Sequence, residues 1–302
     1  MRQSGRALIG PDQRQALGRP VRWTQFQVGQ AMRSTGRQLV VSYSMGKTGS
    51  SALAAAIDRL PGYSACQTHG LTTSARRAAL AERSTWPIPV PPFGPWSGDF
   101  ARLYAMATRR PLLLVVGVRD PVAQAISSFL EVGEYSGVLR DLDEAEPNPA
   151  VAQQRFEEFL LLPNREHGRL PQGIRDWFSD EMRTATGIDV YAQPFPHEEG
   201  FLIVEAERHR VLILRQEDLR QRGPRALARF LGLGDEVPIP ETNLTANSRY
   251  PGLYRTLTSD LRLPPEVLDA ALESRYCRHF YAPEERATMR ERWRPKVPTS
   301  YQ

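Results

Sequence analysis

The residues with the clearest chemical content lie between Leu39 and Leu53, LVVSYSMGKTGSSAL. An apolar run passes into Met45-Gly46-Lys47-Thr48-Gly49-Ser50-Ser51, and that segment passes into a helix-compatible stretch. Gly46 and Gly49 let the backbone turn sharply and approach a ligand. The start of the following helix offers N–H groups and the positive end of its dipole. Thr48, Ser50 and Ser51 add hydroxyls. Lys47 adds a mobile ammonium, and it is conspicuous: of 39 basic residues only Lys47 and Lys296 are lysines. Lysine is a compact point charge on a flexible stem, whereas arginine is a planar fork. Ordinary helix capping accounts for one hydroxyl. It leaves two glycines, two further hydroxyls and the lysine unexplained, so the loop is read as a phosphate site.

Two kinds of phosphate loop compete. The nucleoside-triphosphatase pattern G-x-x-x-x-G-K-[ST] fits at Gly46-Lys47-Thr48, but it requires glycine at position 41 and the chain has Val41. The Lys-Thr-Gly-Ser-Ser order resembles instead the 5′-phosphosulfate loop of sulfotransferases that use 3′-phosphoadenosine 5′-phosphosulfate (PAPS), above all the carbohydrate sulfotransferases. A second element has the same affinity. Gly117-Val118-Arg119-Asp120-Pro121 follows a buried apolar run, and Ser127 stands eight residues beyond Arg119. This is similar to the R-[DN]-P-x-x-x-x-x-S element of that superfamily, in which both residues reach the 3′-phosphate of the nucleotide. Arginine's fork matches phosphate oxygens. The competing reading of Arg119-Asp120-Pro121 is a helix cap with a local ion pair.

The resemblance extends through Leu212-Ile213-Leu214-Arg215-Gln216-Glu217-Asp218-Leu219, similar to a strand plus E-D-L element late in sulfotransferase folds, with Glu217 and Asp218 expected to be structural. Trp177-Phe178, Gly187 to Tyr191 and Arg278-His279-Phe280-Tyr281 resemble a bacterial group labelled capsular polysaccharide synthesis proteins. The resemblance implies PAPS as co-substrate and a hydroxyl acceptor, a bacterial polysaccharide or glycolipid, with no metal. The Gly- and Lys-rich closing segment of cytosolic sulfotransferases is missing; Arg249 is the candidate substitute.

Sulfuryl transfer needs an acceptor hydroxyl in line with sulfur, a base for its proton and positive charge on the leaving phosphate. Histidine suits the base. Of five histidines, His69 in Gln67-Thr68-His69-Gly70 follows a short strand expected to end beside the loop, so it is the first candidate. The competing reading is a loop histidine making one backbone hydrogen bond. Glu131, Asp180 and Glu181 are the carboxylate alternatives. His167 and His197 lack a second metal ligand at helical spacing.

These residues need a scaffold with strand ends at one edge. Strands are expected at Leu39–Ser44, Tyr63–Gln67, Leu112–Val118 and Val211–Leu214. Helices are expected from Ser50 to Leu60, from Pro121 through Glu131, at Ala150–Leu161, Gly173–Thr186 and Pro224–Leu231, and through the last fifth. The proline-dense stretch Trp86 to Gly98 is expected to be an irregular loop, and Asp141 to Pro149 a surface loop. Strand–helix alternation predicts an α/β fold: a three-layer parallel sheet of the P-loop/sulfotransferase type with an added helical C-terminal part. Residues 1–36 are expected to be a poorly ordered basic tail with one short helix around Trp23 to Met32, and 37–302 a single domain.

Composition narrows the classes. The 302 residues are 41% hydrophobic and 24% charged, which excludes wholesale disorder, collagen and a coiled-coil rod. The longest strongly apolar run, Leu112 to Val118, is far below the ~20 residues of a membrane span, and no secretory signal is legible. Cys66 and Cys277 are too few for a disulfide framework or Cys-rich zinc site and fit a reducing compartment. The expected location is the cytoplasm, with peripheral membrane contact and oligomeric state left open. Net charge +5 favours anionic partners. Two rivals stand beside the sulfotransferase: an ATP-dependent kinase or NTPase using Gly46-Lys47-Thr48 with Mg²⁺, and a non-enzymatic polyanion binder. No aromatic-interleaved basic patch points to nucleic acid.

Overall fold

A computed structural model describes residues 24–84, 93–136, 138–139, 148–161, 177–206, 208–241 and 250–294. Residues 24–34 form helix α1. The strands and helices that follow alternate: β1 (Gln38–Tyr43), α2 (Ser50–Asp58), β2 (Tyr63–Thr68), α3 (Thr73–Ser84), α4 (Phe93–Thr108), β3 (Leu112–Val118), α5 (Pro121–Ser136) and α6 (Pro149–Leu161). A π-helical segment, Trp177–Met182, runs into the short α7 (Arg183–Thr186). After β4 (Phe201–Ala206) and β5 (His209–Arg215) come α8 (Gly223–Leu231), α9 (Pro251–Asp260), α10 (Pro265–Leu272), α11 (Arg275–Phe280) and α12 (Pro283–Trp293).

The five strands form one sheet in the order β2-β1-β3-β5-β4. β1, β2, β3 and β5 are mutually parallel, and β4 lies antiparallel to β5 at one edge. The wholly parallel sheet expected from the sequence is therefore corrected to a mostly parallel one. β4 was missed although Phe201 to Val204 is a continuous apolar run; it is an edge strand with Phe201 buried, Leu202 to Val204 partly covered and Glu205 and Ala206 exposed.

Alternation along each strand divides the core in two. Leu39, Val41, Leu114, Val116, Val118, Val211 and Ile213 face one layer, built mainly from α4, α5, α6 and the C-terminal helices. Val40, Val115, Leu212 and Leu214 face the other, built from α2 and α8. Period-two side-chain placement in strands buried on both faces requires this. The proline-dense stretch also needs correcting. Residues from Phe93 onward are helical, and Pro95 lies in the first turn of α4, where a missing N–H costs no intrahelical bond. The part of that stretch before residue 93 lies outside the described residues, as do 1–23, the Asp141–Glu146 part of the expected acidic loop, and the first turns of the expected Gly173 helix.

The order β2-β1-β3 places a switch point between β1 and β3. α2 leaves β1 on one face of the sheet and α5 leaves β3 on the other, so their connecting loops diverge. A crevice at the carboxyl ends of such strands is the usual ligand position in open α/β sheets.

Candidate functional site

Both sequence motifs sit on that crevice, one after β1 and one after β3. In the first loop two residues have left-handed backbone, Lys47 at φ 66° and Gly49 at φ 87°. A left-handed lysine costs about 1–2 kcal/mol, a strain that concentrates at ligand-gripping backbone.

The carbonyl oxygens of the same loop are held. Ser44 O receives His69 Nδ1 at 2.6 Å, and Met45 O receives the Thr48 hydroxyl at 3.0 Å. Gly46 O accepts from Gln124 Nε2 at 2.9 Å, and Lys47 O from Arg119 Nη1 at 3.1 Å. Thr48 O lies so close to β3 that a Cβ on Gly117 would sit 2.2 Å from it. Five consecutive carbonyls, from Ser44 to Thr48, are thus each bonded to a side chain or packed against β3. No side-chain oxygen caps α2; the N–H groups of Ala52 and Leu53 donate to Gly49 O at 3.1 and 3.2 Å.

The remaining loop hydroxyls are tied to β2. Ser51 Oγ donates to Gln67 Oε1 at 3.2 Å, and Gln67 Nε2 donates to Ser50 Oγ at 2.7 Å. Thr48 is buried and its hydroxyl also reaches Ser44 Oγ at 3.0 Å.

The second motif is a helix cap, and its arginine contacts the first loop. Asp120 Oδ1 accepts the N–H groups of Val122 and Ala123 at 2.8 and 3.3 Å, capping α5, and Oδ2 accepts Trp293 Nε1 at 2.9 Å. That leaves Arg119 free to turn toward the loop, where Nη1 also donates to Ser127 Oγ at 2.9 Å. The eight-residue spacing does bring Arg119 and Ser127 together. Tyr276 Oη fixes the Arg119 backbone, accepting its N–H and donating to its C=O, both at 2.8 Å. Glu217 accepts Asp120 N–H at 2.7 Å and the Tyr281 hydroxyl at 3.1 Å. Burial of its carboxyl tip raises its pKa, against the lowering effect of the Asp120 N–H.

His69 lies one residue beyond β2, directly across from Ser44. A carbonyl can only accept, so the Nδ1 bond to Ser44 O places a proton on Nδ1. Trp177 Nε1 holds the His69 carbonyl at 3.0 Å.

The carboxylate alternatives separate cleanly. Glu181 is buried, and its Oε1 accepts the Tyr43 hydroxyl at 2.8 Å and the N–H groups of Leu71 and Thr72 at 2.5 and 3.0 Å. The Thr72 hydroxyl bonds Oε2, so Glu181 is a brace for the loop after β2. Burial, with Glu181 beside it, raises the Tyr43 pKa well above its ordinary value. Asp180 is exposed on the π-helical segment. Glu131 reaches the loop: its Oε2 stands 3.6 Å from Lys47 Nζ. Asp218 pairs with Arg215 and Arg222 and supports the turn after β5. Arg249 lies outside the described residues.

Sequence reasoning missed Gln124, Tyr276 and the role of Gly117. Gly117 carries a signal, a lone glycine inside a continuous apolar strand, which marks close backbone approach. Gln124 and Tyr276 carry none. Beside Arg119 a cavity of about 470 Å³ opens between α5, the turn after β5, α9 and α12, with Ala123, Tyr254 and Met289 among its walls and Gln216 and Arg292 among its polar groups. Among the described residues no three His, Cys, Asp or Glu side chains are grouped to hold a metal, and no helix is long and apolar enough to cross a membrane.

Comparison with known proteins finds no curated protein and no solved structure that matches the chain. One family model matches residues 162–282, the model described as "Putative capsular polysaccharide synthesis protein". The match is to less than half of the chain and begins after both motifs. The segment it covers holds the side chains that brace them: Trp177 and Glu181 under the loop after β2, and Glu217, Tyr276 and Tyr281 behind Arg119 and Asp120. What this chain shares with capsular polysaccharide synthesis proteins is thus a segment that buttresses the crevice.

Proposed function

We propose that the chain is a sulfotransferase that moves the sulfuryl group of PAPS to a hydroxyl of a carbohydrate, on a phosphate-loop sheet of the sulfotransferase type. One observation supports the reading: five consecutive loop carbonyls, from Ser44 to Thr48, are each engaged, by His69, Thr48, Gln124, Arg119 and the bare backbone of Gly117. With its carbonyls so held, the loop meets an anion through its N–H groups and the Lys47 ammonium. A preorganised donor set of this kind stabilises charge developing on a leaving phosphate.

In this reading the loop from Gly46 to Ser51 binds the 5′-phosphosulfate, and Arg119 with Ser127 binds the 3′-phosphate. The adjoining cavity, with Tyr254 and Met289 as apolar walls, accommodates the nucleoside. The acceptor oxygen forms its bond to sulfur as the bond from sulfur to the bridging phosphate oxygen breaks. His69 Nε2 takes the acceptor's proton, and Lys47 meets the charge on the departing oxygen. A polysaccharide or glycolipid acceptor is supported by the description of the matching family model.

The kinase reading finds less support. Thr48, the residue that would hold Mg²⁺ in a nucleoside-triphosphatase loop, is buried with its hydroxyl turned to Ser44 and Met45, and both Asp120 oxygens are occupied by donors. Titration calorimetry decides between them. Adenosine 3′,5′-bisphosphate is expected to bind without metal, and Lys47→Gly, which removes the ammonium and tolerates φ 66°, is expected to abolish transfer from PAPS in a folded protein. Normal transfer by Lys47→Gly, or hydrolysis of Mg-ATP with no bisphosphate binding, would overturn the reading.

A further inference from the structure

We propose that Glu131 is an intramolecular counter-ion for Lys47, which the anion bound by the loop must displace. The inference rests on reading the loop as an anion site. It does not depend on which nucleotide brings the anion.

Helix α5 meets the site along one row of side chains. Gln124 holds Gly46 O, Ser127 holds Arg119, and Glu131 faces Lys47. Residues 124, 127 and 131 recur at three- and four-residue intervals, so they share one face of the helix. A carboxylate on this face is unexpected for a site that attracts anions. It repels an incoming phosphate as strongly as Lys47 attracts one, unless the two charges neutralise each other. At 3.6 Å from Lys47 Nζ it does neutralise it.

The two partners differ in freedom. The Lys47 side chain is 21% exposed and that of Glu131 50%. The Lys47 backbone is locked in a left-handed turn whose carbonyl is held by Arg119, so its stem leaves the loop in a set direction. Glu131, half exposed on that face beyond the buried Gln124 and Ser127, can swing out. When an anion enters the loop, the ammonium stays and the carboxylate leaves. Empty, the loop keeps its ammonium in place without a ligand. Loaded, the ammonium has exchanged one anionic partner for another. The exchange lowers apparent anion affinity by the factor with which the internal pair is populated. Half-exposed ion pairs are worth little, so that factor is about two- to fivefold.

Titration calorimetry with adenosine 3′,5′-bisphosphate and, separately, sodium sulfate tests this in four proteins: the parent, Glu131→Gln, Lys47→Ala and the double variant. Glu131→Gln is expected to bind both probes about two- to fivefold more tightly, and the gain is expected to vanish in the Lys47→Ala background. Glu131→Asp keeps the charge but shortens the reach past pairing distance, and is expected to recover most of the gain. An equal gain in both backgrounds would show a general field effect and overturn the proposal. Unchanged or weaker binding by Glu131→Gln would overturn it too. If Lys47→Ala binds both probes as the parent does, the loop reading falls, and this proposal with it.

Discussion

Gly117→Ala tests the held-carbonyl geometry of the loop without touching any group that would contact a ligand. The added Cβ would lie 2.2 Å from Thr48 O, 2.8 Å from Thr48 Oγ1 and 3.0 Å from Thr48 Cβ. The nearest of these is backbone, so no side-chain rotation relieves it. β3 pairs on both sides, with β1 and β5, so the loop is the part that yields. It must retreat by about 0.8 Å to reach the closest approach that carbon and oxygen tolerate. A shift of that size stretches the neighbouring bonds at Gly46 O and Lys47 O, now 2.9 and 3.1 Å, out of good geometry. Overpacking of this kind costs about 1–3 kcal/mol of stability. The functional cost is larger, since a displacement of roughly 1 Å in a positioned site lowers turnover about 10²-fold. Denaturant unfolding and single-turnover transfer from PAPS measure the two effects separately, and calorimetric titration with adenosine 3′,5′-bisphosphate reports affinity. Gly29→Ala is the control: nothing lies within 4 Å of its added Cβ, and in helix α1 alanine is expected to be neutral or slightly stabilising. A folded Gly117→Ala protein with parental affinity would refute the argument that the Thr48 peptide shapes the site.

Two further outcomes are expected. Arg119→Ala is expected to weaken binding of adenosine 3′,5′-bisphosphate at least tenfold and scarcely affect adenosine 5′-phosphate, since charge-assisted hydrogen bonds are worth roughly 1.5–3 kcal/mol; equal calorimetric losses for both would reduce Arg119 to a clamp on Lys47 O. Burial, then the neighbouring His197 and Arg275, push the His279 pKa down to about 4, against the opposing pull of Asp189. Between that value and the ordinary 6.5 the unfolded chain binds the extra proton, so stability is expected to fall as pH drops through 6.5 toward 4. After discounting for solvent screening the loss is about 1 kcal/mol, and His279→Phe, which keeps the ring contacts with Tyr191, Phe195 and Phe280, is expected to remove it from a pH series of urea melts.

The sequence by itself determined the elements that carry the chemistry. The apolar runs at Leu39 and Leu112 become strands because side chains buried on both faces leave no room for polar residues. Gly46 to Ser51 form the turn after one strand, and Arg119 stands at the end of the other, because glycine and proline punctuate the chain locally. The helical period joined Ser127 to Arg119. What the sequence left undecided is everything set between distant elements. The sequence ranked His69 first as a base, with Glu131, Asp180 and Glu181 behind it, and could not place any of them. Tertiary packing alone turned Glu181 into a brace for Leu71 and Thr72, left Asp180 in solvent, set Glu131 on Lys47 and bonded His69 Nδ1 to Ser44 O. Gln124 and Tyr276 joined the site through contacts spanning 78 and 157 residues, and no local pattern encodes those. Edge strand β4 was legible as the apolar run Phe201 to Val204 and was overlooked; its antiparallel place beside β5 is a matter of pairing between elements. Local propensity reports how the backbone runs; which side chain meets which is decided by packing of the whole chain, and the chemistry of this crevice depends on those meetings.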